Sequence, residues 1–169
     1  MRVIRMGVLI VLLVIVQVAV FPHLQINGVA PDLGLVLAIA VGYQRGPESG
    51  AIVGFLSGFA FGLFLDTPLG LYALAYALVG YGVGVIEGGM MRTPVWIAPV
   101  LAFLGGLAGG LILIGIGVLA GVESVKGSQG VETVVIAALY DALLAPLVFF
   151  LVGRTWPDDD RAPAVWSGP

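Results

Sequence analysis

The 169-residue sequence contains no cysteine and only one histidine, His23. The absence of cysteine excludes disulfides, thiolate nucleophiles and thiolate metal sites. A single histidine cannot build a multi-histidine metal site. The sequence also has no G-x-x-x-x-G-K-[ST] or G-x-G-x-x-G motif to hold a phosphate or a dinucleotide. These absences predict a protein that is not an enzyme and that uses no metal or other cofactor.

Charged residues are also scarce. They make up 10% of the chain, against about 25% in ordinary soluble domains. The hydrophobic fraction is 60%, the mean hydropathy is +1.12 and the formal net charge is −3. So little polar material cannot cover a globule in water, and no basic patch is present to attract nucleic acid. The composition therefore predicts an all-α integral membrane protein with no nucleic-acid partner.

Charges, prolines and loop residues divide the chain into six apolar stretches. Their predicted bounds are 3–21, 32–44, 49–65, 69–86, 95–121 and 131–153. We interpret them as six transmembrane helices in one domain, residues 1–153, which is followed by a polar cytoplasmic tail, residues 154–169. The first stretch is longer than the apolar run of a usual signal peptide, so we expect it to be retained.

The basic residues predict the orientation, because short loops rich in Lys and Arg stay in the cytoplasm. If the amino terminus is inside, six of the seven basic residues lie on the cytoplasmic side: Arg2, Arg5, Arg45, Arg92, Arg154 and Arg161. Only Lys126 then lies outside. Both termini are therefore predicted to be cytoplasmic, in a multi-pass protein of the bacterial cytoplasmic (inner) membrane.

Glycine occurs at every fourth position from Gly46 to Gly62, although each interior glycine costs a soluble helix roughly 0.5–1 kcal/mol relative to alanine. In lipid, small residues let helix backbones approach closely. We therefore predict a central third helix that touches more than one neighbour. The predicted packing or partner-binding glycines are Gly50, Gly54, Gly58, Gly62, Gly80 and Gly84. Packing within the chain and docking of a partner's helix both remain open.

Three aspartates, Asp32, Asp66 and Asp141, are candidates for a polar pocket, because ionisable residues near or within a membrane mark function by default. Asp141 lies near the middle of the sixth stretch, and Pro146 predicts a kink and a polar cavity beside it. A structural and a binding role for Asp141 both remain open. Asp32 and Asp66 also suit helix capping at the outer surface. Nothing in the sequence pairs Asp66 with Asp141 for catalysis.

The stretch from Ala30 to Gly84 resembles the centre of the rod shape-determining protein MreD family. It contains Pro-Asp-Leu, a turn with Arg-Gly-Pro, G-x-x-x-G-F-x-x-G leading to L-x-D, and then P-L-G-L-Y-A-L with a following Gly-Tyr. The ordered combination is more specific than any single GxxxG motif. Ala30 stands where the family often has arginine before Pro-Asp, so the role of that arginine does not transfer.

The resemblance implies a scaffold subunit of the bacterial cell-wall elongation complex, which regulates cell shape and peptidoglycan synthesis. Its implied partners are MreC most directly, together with RodA, a penicillin-binding transpeptidase and MreB. It also implies a fold similar to the S components of energy-coupling-factor transporters, whose ligand site would correspond to Asp66 and the loop 23–30. The alternative function is thus a small-molecule-binding subunit of a vitamin transporter. A third possibility is a proton-coupled carrier that uses Asp141.

Overall fold

The computed structural model describes residues 2–19, 29–64, 70–87, 96–119 and 128–155, and most of these residues are helical. Its six helices are α1 (Arg2–Ala19), α2 (Leu33–Arg45), α3 (Pro47–Gly62), α4 (Leu71–Glu87), α5 (Ile97–Leu119) and α6 (Ser128–Thr155). They coincide with the six predicted stretches to within a few residues at each end. The all-helical prediction is therefore confirmed.

Two helices of the described chain are long and apolar enough to cross a membrane, over the spans Ile97–Leu119 and Gly130–Thr155. The apolar parts of α1, α2 and α4 are shorter, and α2 has only 13 residues. At about 1.5 Å per residue, α2 is about 20 Å long, against a hydrocarbon core of about 30 Å. The six-span topology thus remains a prediction.

A tight hairpin joins α2 to α3. Gly46 ends α2 in the left-handed region, at φ 91°, and its amide donates to the Gly42 carbonyl at 2.9 Å. Pro47 then opens α3, in the first turn, where a missing amide is harmless. The hairpin brings the end of α2 against the start of α3, so the two helices pack along each other.

The central helix is α2. Every residue from Leu33 to Gly42 is buried, because α2 has contacts with all five other helices. As predicted, α3 touches more than one neighbour, namely α2 and α4. The prediction that α3 is central is wrong, since α3 exposes a face with Ile52, Phe55 and Phe59. The physical reason is that the glycines of α3 occupy one side only, and bulky residues between them fill the other.

The last two helices pack against each other in antiparallel directions. Gly106 and Gly110 of α5 lie against α6 at Ala138 and Val134. On another side of α5, Gly105 and Gly109 face side chains of α2. The start of α2 meets the middle of α6, and Gln44 near the end of α2 donates to the Phe149 carbonyl further along α6, at 2.9 Å. The two helices are therefore parallel.

Candidate functional site

The first candidate feature is the interface between α3 and α4, which is backbone against backbone. A Cβ atom added at Gly50, Gly54 or Gly58 would lie within 3.0 Å of main-chain atoms of α4, at Gly80, Tyr76 and Tyr72 respectively. Backbone cannot give way as the end of a flexible side chain can. Any side chain at these three positions would therefore force the helices apart.

The contacts from α4 are reciprocal. A Cβ at Gly80 would collide with the backbone of Gly50, and one at Gly84 with the backbone of Pro47. A Cβ added at Gly42 of α2 would also collide with the Gly80 carbonyl. Bare backbone thus joins α2, α3 and α4 into one unit, as close helix packing in lipid requires.

The outer members of the glycine row differ from the inner three. Gly46 lies between helices, and a Cβ at Gly62 would meet no described atom within 4 Å. A row with a four-residue period turns about 40° per step around a helix, so Gly62, its last member, leaves the shared stripe. Of the predicted glycines, Gly50, Gly54, Gly58, Gly80 and Gly84 are brought together, and Gly62 is not.

The second candidate feature is a buried polar cluster at the start of α2, which brings Asp32 and Asp141 together. The amide of Asp32 donates to Oδ1 of Asp141 at 2.6 Å. The carboxylate of Asp32 accepts hydrogen bonds from the Leu35 amide, at 3.1 Å, and from the Tyr76 hydroxyl. Asp32 therefore caps α2, which is one of the roles predicted for it. It also links α2 to α4 and α6. Asp66 lies outside the described residues.

Two further helices contribute side chains to this region. Gln17 of α1 donates from Nε2 to the Pro31 carbonyl at 2.5 Å, and its Oε1 accepts from the Leu33 amide at 3.0 Å. Ser57 of α3 donates to the Gly34 carbonyl at 3.2 Å. Unpartnered polar groups are costly in an apolar surrounding, and here they satisfy one another.

Sequence reasoning missed Gln17, Ser57 and Tyr76. Gln17 is a polar residue in an otherwise apolar run, and Ser57 interrupts the glycine segment, so both carried a usable signal. Tyr76 carried none, since a tyrosine between apolar residues also suits a lipid interface. In the structure Asp141 and Ser57 are each 1% exposed and Tyr76 is fully buried.

The cluster suits structural cross-linking better than chemistry. Oδ1 of Asp141 accepts from the Asp32 amide, and Gly106 of α5 comes so close that a Cβ there would lie 3.2 Å from Oδ2 of Asp141. Asp141 is thus enclosed by protein, and the kink and cavity predicted at Pro146 stay predictions. Among the described residues, no group of three or more His, Cys, Asp or Glu is placed to hold a metal ion.

A shallow groove of about 410 Å³ lies apart from this cluster, on the outer face of α1. Its lining is apolar and consists of Gly7, Val8, Val11, Leu12 and Ile15. Apolar side chains on such a face are what a lipid environment accommodates.

Comparison with known proteins supplies the family. The model of the rod shape-determining protein MreD family matches residues 1–154. This range includes both features described above and all six helices, apart from the last residue of α6, Thr155. A search of curated proteins and a search of solved structures each found no match. The family match extends far beyond the motif-bearing stretch from Ala30 to Gly84. The chain belongs to the rod shape-determining protein MreD family.

Proposed function

We propose that this protein is a non-enzymatic scaffold that holds components of the bacterial cell-wall elongation complex together in the cytoplasmic membrane. Membership of the MreD family already makes it a membrane protein with a part in rod-shape determination. The observation that carries the proposal is the extent of the match, residues 1–154 of 169. The paired backbones of α3 and α4 add support, because a scaffold needs a rigid body on which partners can assemble.

The proposed topology has six spans and two cytoplasmic termini, with residues 1–153 as the membrane domain and 154–169 as a tail. Two contacts support it. Gln17 near the end of α1 meets Pro31 at the start of α2, as an antiparallel pair of spans would require. The parallel arrangement of α2 and α6 agrees with even-numbered spans that run in the same direction.

The proposed partners are MreC most directly, then RodA, a penicillin-binding transpeptidase and MreB. Two roles are predicted for the glycine row: packing within the chain, or docking of a partner's helix. The structure favours packing within the chain, because α4 already packs against Gly50, Gly54 and Gly58. We therefore assign partner contacts to outward faces of the bundle. The glycines support these contacts indirectly, because they fix the helices that present such faces.

Affinity purification from native membranes tests this function. The tagged protein is extracted in mild detergent, and the co-purified proteins are identified by mass spectrometry. We expect MreC and other proteins of peptidoglycan synthesis in the eluate, at levels above those from a tagged membrane protein of unrelated function. An eluate with an ATPase module and a bound vitamin-sized molecule, and without cell-wall proteins, would contradict the scaffold function.

No observation on the described residues favours the transporter alternative. The two candidate pocket residues that the structure describes, Asp32 and Asp141, are hydrogen-bonded within the protein. The same contacts give no support to a proton-coupled carrier that uses Asp141. The scaffold is therefore the only function that we propose.

A further inference from the structure

A single peptide group in front of α2 is held from both ends by the first and last helices. The Pro31 carbonyl accepts from Gln17 of α1 at 2.5 Å, and the Asp32 amide donates to Asp141 of α6 at 2.6 Å. These two polar atoms belong to the same planar peptide unit. The Leu33 amide, one residue further on, donates to Gln17 as well. We call the segment Pro31–Leu33 with these partners the α2 junction.

Planarity makes the two bonds interdependent. Rotation about a peptide C–N bond has a barrier of about 18–20 kcal/mol, so the Pro31 carbonyl and the Asp32 amide turn together. A tilt of the plane that weakens the Gln17 bond therefore also misdirects the amide away from Asp141. Because hydrogen bonds weaken as their angle departs from linearity, such a tilt weakens both contacts.

Besides a small direct contact between α1 and α6, the α2 junction provides a polar route between these helices. The buried residues of α1 in the described chain are Leu9, Ile10, Leu13 and Gln17, and Gln17 is the polar one. The opposite face of α1 is exposed. Around Asp141, α5 contributes the bare backbone of Gly106 and α4 contributes Tyr76, which binds Asp32 rather than α1.

We infer that the α2 junction couples α1 to α6, so that a displacement of either helix is transmitted to the other through the peptide plane between Pro31 and Asp32. This coupling is a property of the fold and does not depend on the proposed scaffold function. It makes the position of α6 sensitive to the position of α1. Gln17 and Asp141 are the positioning residues of this device.

A double-mutant cycle tests the coupling. Gln17→Met removes the two bonds that Gln17 makes to the α2 junction, and Asp141→Leu removes the bond from the Asp32 amide. Both changes roughly preserve side-chain size, and each is expected to lower the thermal unfolding midpoint in detergent. The double variant should lose little more than the worse single variant, because either change already releases the peptide plane. Additive shifts would overturn the inference.

The control cycle pairs Gln17→Met with Gln44→Leu. Gln44 also links α2 to α6, through the Phe149 carbonyl. It lies twelve residues beyond Asp32, about 18 Å along α2, so its effect should add to that of Gln17→Met. The coupling lies at the α2 junction if the shifts in unfolding midpoint add in this control cycle, while the double variant of the first cycle loses less than the sum of its single variants.

Spin-label distances provide a second test, which also serves if Asp141→Leu fails to fold. The chain has no cysteine, so labels are introduced without removing native thiols. Labels at Leu143 of α6 and Ile52 of α3, both exposed, report the position of α6. Gln17→Met, a change on α1, is expected to broaden this α3–α6 distance distribution. An unchanged distribution would overturn the inference.

Discussion

At the scale of single residues, the structure depends on the absence of a side chain at particular glycines. Two glycines on one helix can differ completely in their surroundings, as Gly80 and Gly82 of α4 illustrate. A Cβ at Gly80 would collide with the backbone of Gly50, whereas one at Gly82 would meet no described atom within 4 Å. The general cost of glycine in a helix is the same at both positions, so their difference isolates the packing effect.

We predict that Gly80→Ala destabilises the protein by about 1–3 kcal/mol, the usual cost of overpacking, because the Gly50 carbonyl cannot move aside. The matched variant Gly82→Ala is expected to be neutral or stabilising by up to about 1 kcal/mol, since alanine has the higher helix propensity. Unfolding titrations in mixed micelles measure both changes. Equal effects of the two substitutions would show that the α3–α4 interface does not limit stability.

A second residue-scale prediction concerns the Tyr76 hydroxyl, which donates to the Asp32 carboxylate. Tyr76→Phe should cost about 1–3 kcal/mol of unfolding free energy, because it leaves a buried acceptor with one donor fewer. Tyr81→Phe on the same helix is the control, since Tyr81 is 51% exposed. Its effect should stay within about 0.5 kcal/mol. Comparable losses in both variants would argue against the polar cluster as a source of stability.

At the scale of helices, two kinds of contact build the bundle. Main chain lies against main chain between α3 and α4, whereas α5 approaches α2 through side chains. A Cβ at Gly109 would meet the Leu35 side chain, at 2.8 Å, and one at Gly105 would meet the side chain of Ile39. Side-chain ends can change rotamer, so the second kind of contact tolerates substitution better.

This difference predicts which glycine-to-alanine substitutions lower the stability of the protein most. Gly58→Ala, against the backbone at Tyr72, should destabilise the protein more than Gly109→Ala, by about 1 kcal/mol or more. Both positions are buried glycines within helices, so propensity and burial are similar. Parallel unfolding titrations compare the two variants directly. A larger loss for Gly109→Ala would contradict the assignment of rigid contacts to α3 and α4.

The number and bounds of the helices could be predicted because prolines, glycines and charges interrupt the apolar stretches. The position of α2 could not. In a soluble protein an all-apolar helix indicates burial, but in a membrane protein lipid-facing and buried helices are equally apolar. The run from Leu33 to Gly42 therefore looks no different from its neighbours, and only the structure identifies α2 as the central helix.

The candidate site was predictable in part for a related reason. Asp32 and Asp141 stand out as ionisable residues in apolar surroundings, so the sequence marks both. Their pairing spans 109 positions of the chain, and no local pattern encodes a contact of that separation. Gln17 was detectable as a polar residue in an apolar run, whereas Tyr76 becomes visible only through its bond to Asp32.

At the scale of the whole molecule, function follows from the family and is supported by the way the bundle is held together. The backbone contacts join α2, α3 and α4, and α5 and α6 pack beside them. We propose that this packing holds the helix faces in a fixed arrangement in the membrane. The central claim is that this arrangement, set by bare backbone, is what rod-shape determination requires.

Complementation of rod-shaped cells depleted of their own copy of the protein tests this claim most directly. Gly54→Leu forces a side chain into the backbone at Tyr76, and Gly115→Leu on α5 is the control, since a Cβ there meets no described atom within 4 Å. Membrane levels and cell shape are measured together. We predict rounded cells with reduced protein for Gly54→Leu and rods for Gly115→Leu. Rods with normal protein levels for Gly54→Leu would contradict the account.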